Sequence, residues 1–136
     1  MNVPVDWQVK MDQDIAESKS KIAILLEEEL LDDDGYPTDA ALDIIRLWHW
    51  SDTKGWFEFV KSVWHLNSWG WSWSEGVEPH DYLNNPAVYR YNISTGGWSG
   101  NESTIAAMQE NDMIWSLTWV QSRRGGHYIF EGRELE

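Results

Sequence analysis

The chain contains no cysteine, which excludes disulfides and thiolate metal sites and agrees with a reducing compartment. Bases are scarce: 10 Lys and Arg stand against 23 Asp and Glu, for a net charge of −13. A nucleic-acid phosphate surface needs clustered cations, so direct nucleic-acid binding is not expected. No apolar run approaches the roughly 20 residues of a membrane span. The first residues, MNVPVDWQVKMDQDIAESK, are polar and lack the apolar stretch of a secretion signal. Together these features predict a cytoplasmic protein without membrane contact, in which the sequons at Asn92 and Asn101 are incidental. His49, His65, His80 and His127 are scattered, with neither an HExxH motif nor a paired spacing. The DDDG run places Gly35 too early for a calcium loop. No metal is expected, and no motif requires a cofactor.

Two things are abundant. Eleven tryptophans in 136 residues supply a large apolar area, and most must be core. The length is that of one domain, 1–136, in which 1–66 read as a helical half and 67–136 as a sheet half with one inserted helix. The acidic excess concentrates in EEELLDDD, where Glu27, Glu28, Glu29, Asp32, Asp33 and Asp34 fall within Glu27–Asp34. Such a run is either a solvated surface or a docking surface for a basic partner, including one that mimics nucleic acid.

Periodicity gives the order of elements. Trp7, Met11, Ile15, Ile22 and Leu25 or Leu26 recur at helical spacing and predict a helix from about Asp6 to Leu31. Asp34-Gly35-Tyr36-Pro37 is a stop and turn. Thr38 caps a second helix, Asp39 to about Trp50, with Leu42, Ile45 and Trp48 on one face. After SDTKG, a third carries Trp56, Phe59 or Val60, Val63 and Trp64. The period then changes to two. WGWSWS, with Trp69, Trp71 and Trp73 alternating, VYRYNIS, MIWSLTWVQS, with Trp115, Leu117 and Trp119 on one face, and HYIFE are expected strands. EGVEPHDYLNNP reads as a turn-rich connection, and a helix from about Asn101 to Glu110 interrupts the strands. The sum is an α+β fold, ααα-ββ-α-ββ, with N-terminal helices packed on a small, mainly antiparallel sheet.

Two glycine motifs stand out. In TGGWSGNE a strand meets a helix start through Thr95, Gly96, Gly97, Trp98, Ser99, Gly100 and Asn101. Helix starts offer unpaired N–H groups, and glycines let a ligand approach the backbone. The same residues also suit a plain turn, with Ser99 or Asn101 as cap and Glu102 reaching back. In SRRGGHYIFE, Arg123 and Arg124 suit bidentate contact with phosphate or carboxylate, beside His127 and a hairpin through Gly125 and Gly126.

The stretch ISTGGWSGNESTIAAMQENDMIWSLTWVQSRRGGHYIFE resembles the C-terminal half of a family of small phage- and prophage-encoded proteins that carry no assigned activity. The likeness covers 88–131, with a weaker match of DIIRLWHW in the helical half. It implies a phage accessory protein, working in the cytoplasm of a host on a host process such as defence.

Three functions remain open from the sequence. One is non-catalytic binding of a small anionic or nucleotide-like ligand by the two glycine motifs, with Trp98 stacking on it. Another is an acidic inhibitor that docks through Glu27–Asp34 on a host protein. The third is a small hydrolase-like enzyme using Ser99, His127 and Glu102 as nucleophile, base and orienter, a grouping that no spacing supports.

Overall fold

The computed structural model describes residues 3–65, 71–77 and 88–133. Helix α1 (Val3–Leu25) stops six residues short of the expected Leu31. The reason is chemical: Glu27, Glu28 and Glu29 would sit at the negative end of the helix dipole. Instead the chain tightens through Glu27 N–H to Ile24 O (3.2 Å) and Glu28 N–H to Leu25 O (3.0 Å). The acidic run is therefore a turn-and-loop segment and not a helix end. Ile22 of α1 is buried and Met11, Ile15 and Leu25 are half-buried, but Trp7 is 59% exposed, so the expected apolar stripe packs everywhere except at its first position.

Helix α2 (Asp39–Leu47) begins where Thr38 Oγ1 accepts from Ala41 N–H (3.3 Å) and buries Ala40, Ala41, Ile44 and Ile45. It ends before Trp50, because the Trp48 indole turns to donate to Asp52 O (2.9 Å). Asp52 caps helix α3 (Thr53–Val63), whose Trp56, Phe57, Val60 and Val63 are buried. The indoles of Trp56 and Trp64 donate to Ile45 O (2.9 Å) and Ser94 O (3.2 Å), so neither N–H is lost to burial.

Four antiparallel strands follow: β1 (Trp71–Val77), β2 (Val88–Ser94), β3 (Trp119–Arg123) and β4 (His127–Arg133), in the order β1-β2-β4-β3. The fold is thus α+β, with N-terminal helices and then a sheet. Tyr89, Tyr91 and Ile93 alternate to the inner face with Phe130. There Phe57 stacks on Tyr91 at 4.2 Å and meets Phe130 at 5.3 Å. One apolar cluster runs from Ile45 and Trp56 to Met108 and Phe130, so the helical and sheet halves share a core. Trp71 is buried in it. Trp69 and most of EGVEPHDYLNNP lie outside the described residues, as does the Trp73 side chain.

Between β2 and β3 stand two helices, not one: α4 (Ser99–Glu110) and α5 (Asp112–Thr118). The expected strand MIWSLTWVQS is therefore helical up to Thr118. Asn111 decides this. Its Oδ1 accepts from Ile114 N–H (3.4 Å), while its Nδ2 donates to Ile45 O (2.9 Å) and Trp48 O (3.1 Å). Trp115 then meets Phe130 edge-on at 5.2 Å, whereas Leu117 and Trp119 are exposed instead of sharing its face.

Candidate functional site

The glycine loop continues the β2–β4 ladder. Ser94 pairs with His127 in register, and Thr95 N–H then donates to Gly126 O (3.0 Å). The two motifs therefore meet in space, backbone to backbone. Gly96 and Gly97 turn the chain with φ of 64° and 75°, a region closed to most side chains. Gly97 N–H donates to the buried Thr95 Oγ1 (3.2 Å), which fixes the turn.

Gly100 serves a different purpose. The Trp98 ring folds over the start of α4, and a Cβ on Gly100 would stand 2.2 Å from its Cζ3. Trp98 also contacts the rings of Tyr36 (4.5 Å) and His65 (4.3 Å). Half-buried and held by protein rings, Trp98 is a packing residue rather than the open stacking platform expected. Nor does Ser99 or Asn101 cap α4, whose N-cap is Trp98 without a side-chain bond. Ser99 Oγ instead hydrogen-bonds Tyr36 Oη (3.0 Å), and Glu102 is exposed.

Asn101 is 2% exposed, and its amide is fully occupied. Oδ1 accepts from His65 N–H (2.9 Å), and Nδ2 donates to His65 O (3.1 Å) and Thr95 O (3.2 Å). It clamps the end of α3 to the glycine loop, which leaves nothing for a ligand.

On the opposite, open face of the sheet the motifs form a real concavity. A pocket of about 230 Å³ is lined by Asn92, Ser94, Arg123, His127 and Ile129, among others. Ser94 Oγ is hydrogen-bonded to His127 Nδ1, leaving Nε2 without a protein partner among the described residues. Arg123 faces His127 across the hairpin and donates through Nε to Gln121 Oε1 (3.1 Å). Arg124 is exposed in the turn. The contrast with the other arginines is informative. Arg46 pairs with Asp43 (2.8 Å) and Glu110 (3.0 Å), and Arg90 pairs with Glu131 (3.2 Å). Among the described residues, Arg123 and Arg124 have no carboxylate partner, in a chain with 23 carboxylates.

Sequence reasoning missed Asn92 and Ser94. The signal was present, since VYRYNIS alternates and places Arg90, Asn92 and Ser94 opposite the buried Tyr89, Tyr91 and Ile93. Ser99, Glu102 and His127 are not joined: Ser99 is bonded to Tyr36 and His127 to Ser94.

The acidic segment is ordered around Asp32. Its Oδ1 accepts from Asp34 N–H and Tyr36 N–H, both at 2.9 Å. Glu27, Glu28, Glu29, Asp32, Asp33 and Asp34 are all exposed. Among the described residues, no group of His, Asp and Glu could hold a metal ion, and no helix is long and apolar enough to cross a membrane. No protein-family model matches the chain, and no curated protein or solved structure is significantly similar to it.

Proposed function

We propose that this protein binds a small anionic ligand, without chemistry of its own, in the pocket between β2 and the β3–β4 hairpin. The observation that carries the reading is that Arg123, which lines this pocket, and Arg124 beside it in the turn have no carboxylate partner among the described residues. A guanidinium offers a planar fork of donors that suits carboxylate or phosphate oxygens. Ser94, His127 and Asn92 add hydroxyl, imidazole and amide groups around it, and Ile129 adds an apolar wall. The overall charge of −13 repels polyanions, so the fit is better for a ligand of one or two charges than for a polyphosphate.

The resemblance of TGGWSGNE and RRGGHY to phage and prophage proteins supplies the setting of this proposal. An accessory protein made in the host cytoplasm would act by sequestering an anionic host signal, for example one used in defence. The test is a thermal-shift and calorimetric screen of phosphate, short carboxylates, nucleoside monophosphates and cyclic nucleotides. A binder at 100 times its dissociation constant should add about 2.7 kcal/mol to the wild type. Arg123→Ala should abolish that gain while leaving the unliganded melting temperature in place. If no anion stabilises the wild type, the reading fails.

A second reading rests on the acidic loop. Its six carboxylates are exposed and form no ion pair among the described residues, a surface suited to a basic host protein and to mimicry of nucleic acid. Capture of a host protein that is lost when the loop is neutralised would favour it.

A further inference from the structure

The strand order leaves β3 at one edge of the sheet, and among the described residues its extensive contacts are with β4. Natural edge strands are usually guarded by charged side chains, above all lysine, by proline, a bulge, a short length or a covering element. Trp119–Arg123 has no proline, lysine or carboxylate, and its guards are a bulge at Val120 and the single charge of Arg123 at its end. Beside this edge lies an apolar patch. Met113 and Leu117, four residues apart on α5, are each 54% exposed, and Trp119 is 45% exposed.

The charge here is also unlike the rest of the molecule. From Asp112 to His127 one carboxylate stands against two guanidiniums, in a chain whose net charge is −13. Two copies of such a chain repel over most of their surfaces, and this is where they can approach.

We propose that β3 pairs antiparallel with β3 of a second copy, giving a two-fold dimer with one continuous sheet. The register follows from the residues. Centring the axis on Arg123 would set two guanidiniums face to face, and centring it on Gln121 would bring the bulged Val120 into the ladder. Centring on Ser122 places Gln121 opposite Arg123 of the second copy, twice, joining a carbonyl acceptor to a cation that already seeks it within the strand (3.1 Å). The partner's slim Arg124-Gly125-Gly126 turn then passes over Leu117 and Trp119. An isologous pairing of this kind closes on itself and builds no filament. It uses the sheet edge and shares Arg123 with the ligand pocket, so its tests leave Arg123 in place.

The absence of cysteine makes the test clean. Under mild oxidation Ser122→Cys should form a covalent dimer, because opposed antiparallel residues stand about 4.5–5.5 Å apart and disulfides span about 4.4–6.8 Å. Glu28→Cys, equally exposed but far along the chain in the acidic loop, should not. In sedimentation equilibrium the wild type should dimerise more tightly as salt rises, since the opposing force is screened repulsion. Leu117→Glu should weaken the dimer by about tenfold or more with an unchanged circular dichroism spectrum. A wild type that stays monomeric at millimolar concentration overturns the proposal. So does a dimer that Leu117→Glu leaves intact, or one in which Glu28→Cys cross-links as fast as Ser122→Cys.

Discussion

Gly126 lies so close to Thr95 that a Cβ on it would stand 2.3 Å from the Thr95 Oγ1. This contact, with the Thr95 N–H to Gly126 O bond, joins the two glycine motifs. Gly126→Ala combines a φ of 80° with that clash and should cost about 2–4 kcal/mol. Gly125 has a φ of 92°, but its Cβ would meet nothing nearer than 3.6 Å. Gly125→Ala should therefore cost only about 1–2 kcal/mol. Urea denaturation of the two variants separates close approach from backbone strain, and equal losses would show that the Thr95 contact is unimportant.

Asn101 is the next joint. Asn101→Ala takes the Asn101 partner from the His65 N–H and C=O, and removes one of two bonds to the buried Thr95 carbonyl, which keeps the Trp98 N–H (3.2 Å). The expected loss is about 2–4 kcal/mol. Asn101→Asp keeps the shape but sets a carboxylate against the same carbonyls and should be at least as damaging. A denaturation midpoint shifted at constant slope is the readout. Little change would return Asn101 to the list of ligand contacts.

How far the sequence revealed this arrangement depends on whether a signal was local. Thr38 before an apolar helical stripe, and VYRYNIS with its period of two, were legible because one segment carries the whole pattern. The end of α1 was misread because the apolar spacing continues to Leu31, while the dipole and the Asp32 turn stop the helix earlier. Asn111 misled more seriously. WSLTW alternates as a strand would, and what makes it helical is a side chain bonded to Ile45 and Trp48, far away in the chain. The glycine loop has the positive φ angles that its composition suggests at Gly96 and Gly97. However, Trp98 and Asn101 turned inward, and the pocket opened on the face held by Asn92 and Ser94.

That reading of Asn111 can be checked directly. Asn111→Ala removes the cap of α5 and both bonds to the end of α2, an expected loss of about 2–3 kcal/mol. Amide exchange should accelerate first in Asp112–Thr118. Exchange that rises evenly over the chain would mean that Asn111 is not what holds this helix.

Asp32 differs from its acidic neighbours in having a structural task. Its Oδ1 receives the N–H groups of Asp34 and Tyr36, and the Asp32 N–H donates to Tyr36 O (2.9 Å). Asp32→Ala should thus cost about 1 kcal/mol, whereas Asp33→Ala and Asp34→Ala should stay within about 0.5 kcal/mol. Asp32→Asn keeps an acceptor in place and should be nearly neutral. This makes asparagine the right substitution for testing the loop as a docking surface. The variant with Asn at 32, 33 and 34 removes three charges while preserving the turn, so any loss of a captured host protein reports electrostatics and not folding. The same complex should weaken in wild type as salt shortens the Debye length from about 10 Å at 0.1 M to about 3 Å at 1 M. Capture that survives both the triple substitution and high salt would leave the segment as solvated surface, with Asp32 serving only its own turn.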